Sequence, residues 1–159
     1  AAAMQNDVVG KLVMLCSSAI QTARSKRVYR WFELLCTEID GKHLGELTAP
    51  FLFGETFLNQ KAGVVDDIIR STKPSAETRA FMQTQARALQ TFDGQALCPK
   101  VDVPTLCLAG AEDTLTLPHE VTATAALIPN AQHHCFEGAG HSLLLESAQA
   151  FDHVTNFAK

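Results

Sequence analysis

Two short segments near the C-terminus hold the residues best suited to chemistry. They are Leu106-Cys107-Leu108-Ala109-Gly110-Ala111-Glu112-Asp113 and Phe136-Glu137-Gly138-Ala139-Gly140-His141-Ser142. Each reads as an apolar strand running into a glycine-containing turn, and the turns present Asp113 and His141. An acid and a histidine delivered from neighbouring strand ends are two thirds of a nucleophile–histidine–acid triad. In such a triad the imidazole moves a proton and the carboxylate fixes its tautomer and orientation. Asp113 also suits a plainer part, since aspartate ahead of a helix commonly caps it or closes an Asx turn. A matching nucleophile is not visible in the sequence.

These two turns need a sheet to hold them. Three segments read as buried parallel strands: Lys11–Cys16, Thr105–Ala109 and Gln132–Phe136. The first two are continuous apolar runs bounded by turn residues, the pattern of strands covered on both faces. A helix is predicted from Pro118, a favoured first-turn residue, to the stop at Pro129-Asn130. Another carries Phe151, Val154 and Phe157 on one face. Alternating strands and helices at this spacing make an α/β unit with right-handed crossovers.

Between the first and second strands lies a long stretch of different character. Apolar and aromatic residues recur at helical spacing through Val28–Leu35, Phe51–Leu58, Val64–Ile69 and Ala80–Leu89. Gly41, Gly45, Pro50, Gly63 and Pro74 punctuate them, which predicts four or five short helices. This stretch is too long for a crossover, so a helical insertion over one end of the sheet is expected. On this division residues 1–19 and 100–159 form the sheet-bearing core and residues 20–99 the insertion.

Bulk properties narrow the classes. At 159 residues a single domain is expected. A formal net charge of −4, with lysines and arginines reading as scattered, gives no footprint for nucleic acid or an anionic membrane. No run approaches the roughly 18 apolar residues of a membrane span. The five cysteines show no CxxC and no zinc-type spacing. They are expected to be reduced thiols of a cytoplasmic protein, with no metal or other cofactor.

The ordered set of segments resembles the C-terminal half of an α/β-hydrolase. The resemblance lies in Val103-Pro104-Thr105-Leu106, Ala109-Gly110-Ala111-Glu112-Asp113 with Pro118, Ile128-Pro129-Asn130-Ala131, and Glu137-Gly138-Ala139-Gly140-His141-Ser142 with Glu146 and Phe151. It implies a partial α/β-hydrolase fold: a short parallel sheet made of the last three strands, flanked by helices, with a helical cap over residues 20–99. It implies His141 as general base and Asp113 as its partner. Glu112 is the nearest rival acid, with a side chain expected to point away. The family's nucleophile elbow, Gly-x-Ser-x-Gly, has no counterpart here. The chain is thus expected to begin just after that elbow, and Ala1–Met4 reads as the tail of a helix already under way.

The resemblance implies hydrolysis of a small ester or lactone by a Ser-His-Asp triad, with the chain inactive by itself. The alternatives are a non-catalytic fragment or interaction module, or a dehalogenase, haloperoxidase or carbon–carbon bond hydrolase relative; the nucleophile would decide. An epoxide hydrolase would want two cap tyrosines, and the chain has only Tyr29. Trp31, Phe53 and Phe57 are candidates for substrate contact under the cap. Ser17 and Ser18 lack flanking glycines and read as turn residues. His133 and His134, adjacent in a strand, are expected on opposite faces, His119 and His153 on solvated helices, and His43 in a loop. The strand Leu12–Cys16 would lack its family neighbour. It is therefore expected to pair with a second copy, giving a homo-oligomer, or with the missing N-terminal half.

Overall fold

The computed structural model describes residues 8–159; the expectation for Ala1–Met4 falls outside them. Three strands, β1 (Leu12–Leu15), β2 (Thr105–Gly110) and β3 (Ala131–Phe136), form a parallel sheet in the order β1-β2-β3. Val13 lies opposite Leu106, and Leu106 opposite Gln132. β2 is buried along its whole length, which is why it reads as an unbroken apolar run.

Alternation along β2 sends successive side chains into two cores. Cys107 and Ala109 pack with Val121, Ala125 and Ile128, from helix α6 (Pro118–Leu127) and the turn after it. Leu106 and Leu108 pack with Phe136, Leu143 and Ala150, the last two from α7 (Leu143–Glu146) and α8 (Ala148–Ala158). The outer strands differ from the expectation of full burial. β1 is half-buried throughout, and β3 exposes Gln132, His133 and His134. These two strands flank the sheet, and among the described residues only β2 has a strand on each side.

Five α-helices separate β1 from β2: α1 (Ala23–Glu38), α2 (Gly41–Leu52), α3 (Glu55–Gln60), α4 (Ala62–Ser71) and α5 (Ala76–Leu89). A short 3₁₀ turn over Gln95–Lys100 leads back to the sheet. Thr22 starts α1 through a capping box. Its hydroxyl accepts from Ser25 N at 3.0 Å, and Ser25 Oγ accepts from Thr22 N at 2.8 Å. Ser75 caps α5 in the same way through Thr78 N. Gly41 begins α2 and Pro74 separates two helices, but Gly45 and Pro50 lie inside α2, and Gly63 inside the first turn of α4. Each interior glycine weakens a helix by about 1 kcal/mol. Burial of Leu44, Thr48 and Ala49 on the inner face of α2 outweighs that local preference. His43 therefore sits on α2, exposed, rather than in a loop.

α1 packs chiefly on α5, and a buried carboxylate joins them. Glu33, with its side chain 6% exposed, accepts from Arg30 on its own helix and from Arg87 and Gln90 on and just after α5. No helix among the described residues is long and apolar enough to cross a membrane.

Candidate active site

Asp113 and His141 meet at the C-terminal edge of the sheet. After β2 the backbone stays tied to the turn beyond β3: Ala111 N donates to Phe136 O and Glu112 N to Ala139 O, both at 2.9 Å. The two turns cross closely. A Cβ at Gly110 would lie 2.3 Å from Gly140 O, and one at Gly140 would lie 2.3 Å from Gly54 N, so both crossings require glycine. His141 Nδ1 lies 2.9 Å from Asp113 Oδ2. The other carboxylate oxygen, Oδ1, accepts from Leu115 N at 2.8 Å and Thr116 N at 3.0 Å. Asp113 thus serves as an Asx-turn residue and as the imidazole's partner together, one oxygen for each part.

Burial separates the two groups. The Asp113 side chain is fully shielded, whereas that of His141 is 30% exposed. With Nδ1 committed to Asp113, Nε2 is the nitrogen able to take up or release a proton. His141 borders a cavity of about 470 Å³ whose other walls include Tyr29, Phe32, Leu52, Leu89 and Leu115. Burial, and then the Glu120 carboxylate, raise the Tyr29 phenol above its ordinary value.

Both amides flanking His141 are held from outside the turn. Gly140 N donates to Glu146 Oε2 at 2.8 Å, and Ser142 N to Leu52 O at 2.8 Å. The same Glu146 oxygen accepts from Gly54 N at 2.8 Å. Glu112 turns away from His141 and accepts from Thr56 N at 2.8 Å and Thr56 Oγ1 at 2.5 Å. Two carboxylates therefore fasten the α2–α3 corner to the histidine turn.

Cys16 completes the floor. It is buried and adopts a left-handed backbone, φ 45°, which a non-glycine residue rarely takes. Its thiol lies 3.7 Å from Gly140 O. Among the described residues, Cys16, Asp113 and His141 are the one trio of metal-ligating side chains whose donor atoms converge, within 4.8 Å of one another. Burial and the Asp113 carboxylate push the Cys16 thiol up to about 12, so as a free side chain it stays protonated at neutral pH and is not a thiolate nucleophile. Both Asp113 oxygens accept hydrogen bonds.

The other residues singled out by sequence lie elsewhere. Phe53 and Phe57 stack on each other at 5.7 Å in the α2–α4 core with Ala49 and Val65. Trp31 packs on Phe51 at 4.7 Å and lines a neighbouring cavity. None of the three lines the His141 cavity; Tyr29 and Phe32 of α1 do so in their place. His133 faces Thr122 of α6, while His134 packs on Phe136 and His153. Burial, and then His134, hold His133 below the ordinary imidazole value. Ser17 Oγ donates to Leu15 O and Ser18 Oγ to Ile20 O, as turn residues do.

Solved structures similar to this chain include hydrolases. The chain superposes on the enol-lactonase from Burkholderia xenovorans LB400 with a TM-score of 0.83 at 21% identity, covering 99% of this chain and 59% of that one. On MGS-M2, an α/β hydrolase from a Medee basin deep-sea metagenome library, it scores 0.81 at 18% identity, covering 98% and 58%. A thermophilic esterase from Thermogutta terrifontis gives 0.77 at 24% identity, covering 98% and 57%. The chain has an α/β-hydrolase fold. It spans less than three fifths of these α/β-hydrolases, consistent with a partial fold built on a three-stranded sheet. No protein-family model matches the chain. A stretch of 65 residues is 38% identical to part of the polyketide synthase ThaQ of Burkholderia thailandensis, covering 41% of this chain and 3% of that protein.

Proposed function

We propose that the chain supplies the proton-relay part of an ester- or lactone-hydrolysing site, with His141 as general base and Asp113 as its orienting partner. The observation that carries this reading is the 2.9 Å bond from His141 Nδ1 to Asp113 Oδ2, beside an apolar cavity. In the reaction, His141 Nε2 takes the proton of a serine hydroxyl as its oxygen bonds to the carbonyl carbon. The imidazolium then returns that proton to the leaving alkoxide as the carbon–oxygen bond breaks. Water repeats the sequence on the acyl intermediate, releasing the acid and restoring the serine. Asp113 keeps a hydrogen on Nδ1 throughout and stabilises the transient imidazolium.

The serine and the oxyanion donors of this reading lie outside the 159 residues, so the chain by itself does not turn over. Residues 20–99 act as a cap whose α1 and α5 wall the acyl cavity. β1 offers its free edge to the segment that bears the nucleophile, or to a second copy. Five unpaired thiols favour a reducing, cytoplasmic setting. The likeness of 65 residues to a polyketide synthase favours a second reading of the acyl group, as a longer polyketide-type chain.

The test is hydrolysis of activated esters by the chain assembled with a segment bearing Gly-x-Ser-x-Gly. Turnover should fall about 10³–10⁴-fold in Asp113→Asn. Turnover indifferent to Asp113 and His141 would refute the assignment. A preference for long over acetyl esters would favour the second reading of the acyl group.

A further inference from the structure

The cations of this acidic chain are not evenly spread. Arg24, Lys26, Arg27 and Arg30 fall within seven residues, all on the first half of α1. Arg30 is tied to Glu33. Arg24 donates to the carbonyls of Thr114 and Leu115, in the turn that carries Asp113, and a guanidinium retains further donors after two such bonds. Arg27 is exposed and makes no ion pair among the described residues.

Helical spacing puts Arg24, Arg27, Val28 and Trp31 on one face of α1. That face lines a second cavity of about 310 Å³, with Phe51 and Leu115 opposite. Val28 and Leu115 also line the His141 cavity, so the two spaces lie on either side of a shared apolar wall. Both are walled mainly by apolar surface; one is bordered by the imidazole, the other by two arginines beside aromatic rings.

We infer that the cavity at Arg24 and Arg27 is a subsite for a phosphate-type anion on an amphiphilic substrate whose apolar acyl part occupies the His141 cavity. A planar guanidinium fork matches the oxygens of a phosphate; Arg27 has its fork unpaired by any carboxylate among the described residues, Arg24 keeps further donors, and Trp31 and Phe51 line the same cavity. A neutral ester would fill only the first cavity. An acyl compound with a phosphate in its leaving part would fill both. The inference rests on the reading of the His141 cavity as the acyl site.

Trp31 is the chain's single tryptophan and lines the proposed subsite, so its emission reports occupancy of that subsite, while isothermal calorimetry reports octanol in the His141 cavity, which Trp31 does not line. The experiment titrates the 159-residue chain with octyl phosphate, with octanol and with inorganic phosphate. Octyl phosphate should bind about tenfold more tightly than octanol, the gain of one or two charge-assisted hydrogen bonds. That advantage should shrink as sodium chloride rises from about 0.05 M to about 0.5 M. In Arg27→Gln the ratio of the two Kd values should fall towards one, and in Arg27→Lys it should be partly kept. Inorganic phosphate should compete with octyl phosphate and not with octanol.

Equal affinities for octanol and octyl phosphate, or a ratio unmoved by salt and by Arg27→Gln, would overturn the subsite and leave the acyl cavity standing. Failure of both amphiphiles to bind would overturn the acyl-cavity reading and the subsite with it.

Discussion

At the scale of single residues, Asp113 and His141 were legible because their chemistry is local. Each stands in a glycine-containing turn that follows a strand, and one strand–helix–strand unit joins them. Glu146 was not legible as their support, because its partners are backbone amides brought together only by folding. One of them, Gly54, lies 92 positions away. Which cavity Trp31 lines was not legible for a related reason. Residues 28, 29 and 32 turn towards the His141 cavity, and the phase of α1 carries Trp31 round to the next face. The shared acceptor Glu146 Oε2 yields a sharp expectation. Glu146→Ala should speed hydrogen exchange at Gly54 and Gly140 together, while Glu146→Gln, which keeps an acceptor oxygen, should preserve most of the protection. Amide exchange by NMR checks this. Equal protection in the two variants would mean that the carboxylate holds neither amide.

Among the elements, the pairing of α1 with α5 walls the His141 cavity, and Glu33 is its clasp. Bonds from Gln90 and from Arg30, set against the opposing effect of burial and joined by Arg87, lower the Glu33 carboxyl to about 2, against an ordinary 4.5. A carboxyl whose value is lower in the folded chain stabilises it fully above its unfolded value and loses that contribution as pH falls towards the folded one. Stability should therefore decline between pH 4.5 and about 2, and Glu33→Gln should flatten that decline while lowering the melting temperature at neutral pH. Thermal melts across that range decide it; parallel acid limbs would remove Glu33 from the account. Four or five helices were readable from apolar spacing, but their limits only in part. Glycine and proline mark helix ends only where packing does not override them, and α2 starts at Gly41 yet holds Gly45 and Pro50 inside its length through the burial of Leu44, Thr48 and Ala49.

For the whole molecule, the three parallel strands were legible as short segments bounded by turn residues, whereas the exposure of the outer strands was not. β1 keeps the apolar composition of an interior strand, Leu-Val-Met-Leu, yet is only half-buried at the sheet's flank. Such an edge attracts another strand. Light scattering after size exclusion should therefore find the 159-residue chain associated with itself, and a monodisperse monomer at high concentration would refute that. We propose that Asp113 and His141 relay protons for a nucleophile supplied from outside these 159 residues. The most direct measurement of that relay is the burst of p-nitrophenol released on acylation, recorded for the chain alone and for the chain assembled with a segment bearing Gly-x-Ser-x-Gly. The account predicts no burst alone and about one acyl group per assembled site, lost in His141→Ala. A burst from the chain alone, or one from the assembly that survives His141→Ala, would contradict it.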